Sequence, residues 1–162
     1  MIGSYNTFTD IASSVFVTAE QIDGRGIAFA DFDNDGDVDV VITDGNSAGF
    51  SQTATRLLRN DSINNNHWLV IKLIGTISNR SAIGARVEIR TNTTTIVQEV
   101  SGGAGRGSQN SLPLEFGLGQ ATVIEEISIR WPHGQREIFN NISMDQRITI
   151  VEKELIFAGG FE

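Results

Sequence analysis

The chain contains no cysteine, which excludes disulfides, thiolate metal sites and a cysteine nucleophile. It has only two histidines, His67 and His133, and only two lysines, Lys72 and Lys153. No apolar run approaches the ~18 residues of a membrane span, and no basic patch points to nucleic acid or to an anionic membrane. The first residues, Met1-Ile-Gly-Ser-Tyr-Asn-Thr-Phe8, show neither a positive n-region nor an apolar h-region, so no signal peptide is visible. Lack of cysteine suits the cytoplasm and many bacterial exported proteins equally. The hydrophobic share, 40% of 162 residues, is that of an ordinary globular protein able to bury a core.

What the chain does have is acid in one place. Asp31-Phe32-Asp33-Asn34-Asp35-Gly36-Asp37-Val38-Asp39 carries five aspartates on alternate positions, and they account for five of the eight net negative charges. Carboxylates packed that densely repel one another, so a folded loop of this composition calls for a cation. Ca²⁺, with six to eight oxygen ligands, suits the spacing. The expected ligands are Asp31, Asp33 and Asp35 through their side chains, Asp37 through its carbonyl, and Asp39 closing the shell, with Gly36 allowing the sharp turn. The loop is not an EF-hand, because the twelfth position is Ile42 rather than Glu and both flanks are β-prone. Asp31-Phe32-Asp33 also matches the opening of a haloacid-dehalogenase-type phosphatase, but the scarcity of lysine and of helical periodicity weighs against that chemistry.

Short runs rich in Val, Ile, Thr and Phe, separated by Gly, Asn, Asp and Ser, read as strands throughout. They are expected at 26–31, 37–43, 54–59, 67–74, 84–91, 95–100, 112–117, 123–131, 135–139 and 146–152, with a short helical turn within 10–21. The stretch Asn60-Asp-Ser-Ile-Asn-Asn-Asn66 has the composition of a linker or long turn. Strand 67–74 reads as an alternating pattern, and Trp131-Pro-His-Gly134 suits a type I turn. The glycines of Ser101-Gly-Gly-Ala-Gly-Arg-Gly-Ser-Gln-Asn110 match no phosphate-binding spacing and precede no helix, so they read as a strand connection. Sequons at Asn60, Asn79, Asn92 and Asn141 matter only in a eukaryotic secretory pathway.

Gly24-Arg-Gly-Ile-Ala-Phe-Ala-Asp-Phe-Asp-Asn-Asp-Gly-Asp-Val-Asp-Val-Val-Ile42, with Arg56-Leu-Leu-Arg-Asn60 after it, resembles one FG-GAP (VCBS-type) repeat. Phe8-Thr-Asp10 resembles the short strand preceding such a repeat. Asn66-His-Trp-Leu-Val-Ile-Lys-Leu, Ser78-Asn-Arg-Ser-Ala-Ile-Gly-Ala-Arg-Val87, Gly107-Ser-Gln-Asn110 leading to Phe116-Gly-Leu-Gly119, and Ile129-Arg-Trp-Pro-His-Gly134 resemble the ASPIC/UnbV domain of bacterial exported proteins and cartilage acidic proteins. The resemblance implies an all-β chain: a propeller-blade-like antiparallel sheet over 8–62 with a Ca²⁺-binding loop, packed on a small antiparallel β-sandwich or barrel over 66–152, then a tail over 153–162. It further implies an extracellular or cell-surface setting. A propeller needs about four to eight blades, and one blade's worth of sequence is present. The expectation is therefore a blade fused to the sandwich, a homo-oligomer, or the end of a longer chain whose other blades it packs on.

The function expected from this reading is a non-catalytic, Ca²⁺-stabilised β module for adhesion or protein recognition, with a protein or glycan partner of unknown identity. Two alternatives stand beside it. A carbohydrate-binding module would use Trp68 and Trp131 as stacking platforms, although both sit in strand contexts that suit core anchors. A hydrolase would pair His67 or His133 with an acid of the loop, and no nucleophile arrangement accompanies either histidine.

Overall fold

A computed structural model describes residues 24–45, 55–62, 64–103, 105 and 107–153, together with Thr9. The expected helical turn within 10–21, the Phe8-Thr-Asp10 strand and most of the 153–162 tail lie outside the described residues.

The described chain is all-β, with ten strands: β1 (Gly24–Ala30), β2 (Asp39–Asp44), β3 (Arg56–Leu58), β4 (His67–Ile74), β5 (Arg86–Thr91), β6 (Thr95–Glu99), β7 (Leu114–Gly119), β8 (Ile124–Arg130), β9 (Arg136–Phe139) and β10 (Gln146–Val151). They form three open sheets in the orders β1-β2-β3, β10-β4-β7 and β6-β5-β8-β9. None closes into a barrel, so the fold is a sandwich carrying a separate three-stranded sheet.

The core lies between the second and third sheets. Leu69, Ile71 and Leu73 of β4, Phe116 and Leu118 of β7 and Ile150 of β10 face Val87 and Ile89 of β5 and Ile127 and Ile129 of β8, with Trp131 closing one end. Alternation produces this arrangement: β5 and β7 bury every second residue, as a strand with one dry face must. Trp131 begins the expected tight turn, and Gly134 N donates to Trp131 O at 2.8 Å. Gly134 has φ +100°, the left-handed conformation that a three-residue hairpin loop asks of its last residue.

Two features depart from the sequence reading. First, β10 runs parallel to β4, in register from Gln146↔Leu69 to Val151↔Ile74, so the β10-β4-β7 sheet is mixed rather than antiparallel. The chain crosses from the third sheet to the second between β9 and β10, and a strand arriving by a crossover is not bound to the hairpin direction. Second, β4 does not simply alternate: Leu69, Val70 and Ile71 are all buried. Consecutive burial means that both faces of the strand are covered there. Leu69 and Ile71 face the core. Val70 lies on the opposite face, between Arg147 of β10 and Glu115 of β7 in one cross-strand row, and those two neighbours identify what covers it.

Candidate metal centre at the acidic loop

β1 and β2 are antiparallel, paired from Gly24↔Asp44 to Ala30↔Asp39, and the acidic loop is their connection. Such a turn requires left-handed backbone, and the sequence supplies it at Asn34 (φ 63°) and Gly36 (φ 98°). Asparagine is among the non-glycine residues best able to adopt that conformation, and glycine adopts it freely.

The turn gathers the carboxylates of Asp31, Asp33 and Asp39, one oxygen from each lying within 4.8 Å of the others. Asp31 and Asp39 are buried, while Asp33 is exposed. Asp35 and Asp37 stand outside this trio: Asp35 Oδ1 accepts the Asp37 N–H at 2.9 Å, which shapes the turn instead. Of the five aspartates named from the sequence, the structure brings the carboxylates of Asp31, Asp33 and Asp39 together; Asp37 was expected to act through its backbone carbonyl.

The two buried carboxylates are held from several directions. Asp31 Oδ1 accepts Asp35 N–H at 3.1 Å and its Oδ2 accepts Gly36 N–H at 3.3 Å. Asp39 Oδ2 accepts Phe32 N–H and its Oδ1 accepts Asn60 N–H, both at 2.8 Å. Each carboxylate oxygen has about two lone-pair sites, so these bonds orient the oxygens and leave acceptor capacity on Asp31 Oδ1 and on both oxygens of Asp39. Partial loss of hydration, then the charges of Asp35 and Asp39, raise the Asp33 carboxyl above its ordinary value despite Arg59 at 3.8 Å. Asp37 is raised as well, by dehydration and by Asp35, Asp31, Asp39 and Asp33 together. The loop thus holds more negative charge than its own cations balance. Oxygen-only ligands and excess charge suit a hard cation of the Ca²⁺ type.

The C-terminal sandwich completes the site. Arg147 donates to Asp31 Oδ2 at 2.6 Å, and the Asp31 side chain is fully buried. Glu115 Oε1 accepts the Asp31 N–H at 3.0 Å, and Ser111 N–H donates to Phe29 O at 3.0 Å. A Cβ on Gly36 would run into the indole of Trp68. Trp68 and Val70, two residues apart on β4, share a face, as do Arg147 and Glu115 on either side of Val70. The acidic loop therefore sits on the outer face of the β10-β4-β7 sheet. Sequence reasoning missed Arg147 and Glu115, which stand 116 and 84 positions from Asp31. Nothing in their local pattern distinguishes them from ordinary strand residues.

Each histidine is held by a carboxylate. His133 Nδ1 lies 2.8 Å from Glu152 Oε1, and Ser78 Oγ donates to the same oxygen at 2.8 Å. Ser78 Oγ also lies 3.1 Å from His133 Nδ1, and the far nitrogen, Nε2, faces Gln135 Oε1 at 3.2 Å. Glu152 instead accepts the N–H groups of Thr76, Ile77 and Ser78 on Oε2 at 2.9, 2.9 and 2.7 Å. Burial raises its carboxyl, but the bonds from Ser78, Thr76 and Ile77 outweigh it and leave the group below its ordinary value. His67 Nδ1 pairs with Asp145 Oδ2 at 2.7 Å, tying the start of β4 to the turn before β10. Trp131 is buried and donates Nε1–H to Glu137 at 2.9 Å, and Trp68 is half-buried with its indole against Gly36.

An all-β sandwich with a mixed sheet, bearing an acidic hairpin on its outer face, is the class of protein that these features define. The family model for ASPIC and UnbV matches residues 75–156, half of the chain, and the chain belongs to that family. No curated protein matches it. The matched span begins after β4 and leaves the acidic loop outside. Among the described residues, no helix is long and apolar enough to cross a membrane.

Proposed function

We propose that this chain is a non-catalytic β module of an extracellular or cell-surface protein, in which a Ca²⁺ ion bound by the acidic loop fixes an FG-GAP-like hairpin onto the ASPIC/UnbV sandwich for adhesion or recognition. The observation that carries the reading is the convergence of Asp31, Asp33 and Asp39 at the point where Arg147 and Glu115 of the sandwich grip the loop. Asp31, Asp33 and Asp39 would hold the ion. Its role is structural: it offsets carboxylate repulsion and stabilises whatever conformation binds it. Sites of this kind in extracellular modules work at roughly 10⁻⁴–10⁻³ M, concentrations met outside the cytosol. The arrangement of His133, Ser78 and Glu152 supports a structural clamp rather than hydrolysis.

Calorimetric titration tests the site. Saturable Ca²⁺ binding at one site per chain, reduced at least tenfold by Asp33→Ala, is the expected result. Binding unaffected by that substitution, or no heat up to 10 mM Ca²⁺, would overturn the proposal.

A further inference from the structure

The outer face of the β6-β5-β8-β9 sheet carries a row of arginines. Arg86 lies directly opposite Arg130, and Arg130 directly opposite Arg136, so three guanidinium groups stand side by side on three adjacent strands. Like charges directly opposite one another destabilise a sheet. In an acidic chain, an arrangement that repels itself calls for a reason.

The usual reason, internal pairing, is largely missing. Arg136 Nε donates to Ser128 Oγ at 2.6 Å, and its Nη2 is 3.9 Å from Glu126. Arg86 and Arg130 have no ion pair or side-chain hydrogen bond among the described residues, although Glu99 stands opposite Arg86 in register. Arg90 on the same sheet, by contrast, pairs with Glu125 and Glu126. Arg86, Arg130, Arg136, Ser128 and Glu88 line one shallow depression of about 280 Å³. Ser128 is buried and its Oγ is already an acceptor, leaving its O–H to donate.

The chemistry of that depression is specific. Unpaired guanidinium forks match a planar carboxylate in bidentate fashion. The carboxylate of Glu88 accepts only, so its complement is a hydroxyl donor on the same ligand. A molecule offering both groups is a uronic acid. The row crosses the strands, spacing its cations one strand apart, about 4.8 Å, close to the length of one sugar ring. An acidic peptide such as poly-glutamate offers the carboxylates but no hydroxyl donor for Glu88, and does not fit. β5 and β8, which carry Arg86 and Arg130, are paired on both edges and accept no added strand.

We infer that the Arg86–Arg130–Arg136 row is a docking face for a carboxylated polysaccharide of the polyuronate type, with Glu88 and Ser128 reading ring hydroxyls. The inference rests on the reading of this chain as a recognition module and names the class of its partner. It is independent of the calcium loop.

The test is calorimetric titration of the full chain with short oligogalacturonates, in parallel with poly-glutamate and neutral dextran of similar length. Oligogalacturonate should bind, and each of Arg86→Gln and Arg130→Gln should weaken it about tenfold or more, as loss of a charge-assisted bond implies. Glu88→Gln should weaken it without removing a cation, which a purely ionic contact would not show. Melting temperatures of the arginine variants should hold or rise, since the side chains are exposed and repulsion is relieved. No binding, unchanged affinity in the arginine variants, or equal affinity for poly-glutamate would each overturn the inference. A chain that fails here yet still binds Ca²⁺ would leave the proposed module reading standing.

Discussion

At the scale of single residues, the balance between burial and pairing decides what matters. Asp31 has a side chain with no exposure, and Arg147, about one-third open, is the cation that reaches it. Removing that partner strands a buried carboxylate. Arg147→Met should cost about 2 kcal/mol, below the 3–5 kcal/mol of a fully buried pair because solvent reaches the guanidinium. Urea denaturation without divalent ions would measure the loss, and millimolar Ca²⁺ should recover part of it by supplying the missing positive charge. Glu152 makes a second prediction, about pH. Its folded-state carboxyl lies below the ordinary value, so its stabilising contribution is whole above the unfolded value of about 4.3. That contribution is lost as pH falls through the lower folded value. Asp145, lowered by His67 and the Trp68 N–H against the opposing effect of dehydration, acts in the same direction. The contributions of these two groups should therefore hold from neutrality down to about pH 4 and fall below it. Glu152→Gln should lower stability at pH 7 by about 2 kcal/mol, since three N–H donors lose a charged acceptor, and should flatten the acid limb measured by pH-dependent denaturation.

At the scale of elements, the strands were legible because most of them alternate between a more buried and a more open face, β4 and β8 excepted, and because Gly, Asn and Asp mark the turns between them. The ends shift by only a few residues; β2, expected from 37, begins at Asp39, because the turn consumes two more positions. The exceptions have a common origin in tertiary packing. Burial of Val70 reflects a loop brought from 30 or more positions away, and no local pattern encodes that. The parallel pairing of β10 with β4 follows from which sheet the chain crosses to, which hydrophobic periodicity does not specify. In the acidic loop the alternation made the crowding of carboxylates readable, yet which of them converge depends on backbone hydrogen bonds such as Asp37 N–H to Asp35. Gly36 joins both kinds of constraint, having φ +98° and the Trp68 indole where a Cβ would sit. Gly36→Ala should lower the melting temperature and shift Trp68 fluorescence to the red as the loop lifts from β4. A variant melting like wild type with unshifted emission would show that the loop does not press on that face.

At the scale of the whole molecule, the described core is lopsided. Every buried apolar residue falls between Leu69 and Ile150, and the β1-β2-β3 sheet contributes only the buried acids Asp31 and Asp39. Ile27, Phe29, Phe32 and Leu57 of that region are exposed. A three-stranded sheet without a dry face is at best marginal alone, so its order depends on the sandwich to which Arg147, Glu115 and Ser111 bind it. This dependence gives the loop its place in the account: a cation at Asp31, Asp33 and Asp39 would stabilise the junction as well as the turn. Stabilisation by a bound ion follows RT ln(1 + [Ca²⁺]/Kd), about 2.7 kcal/mol at one hundred times Kd. The measurement that bears on it most directly is thermal unfolding of the intact chain in EDTA and then in rising Ca²⁺, with Asp33→Ala alongside, because Asp33 is the one exposed acid of the three. The melting temperature should climb steadily with Ca²⁺ in the wild type and stay flat in Asp33→Ala; a wild-type curve indifferent to Ca²⁺ would contradict the account.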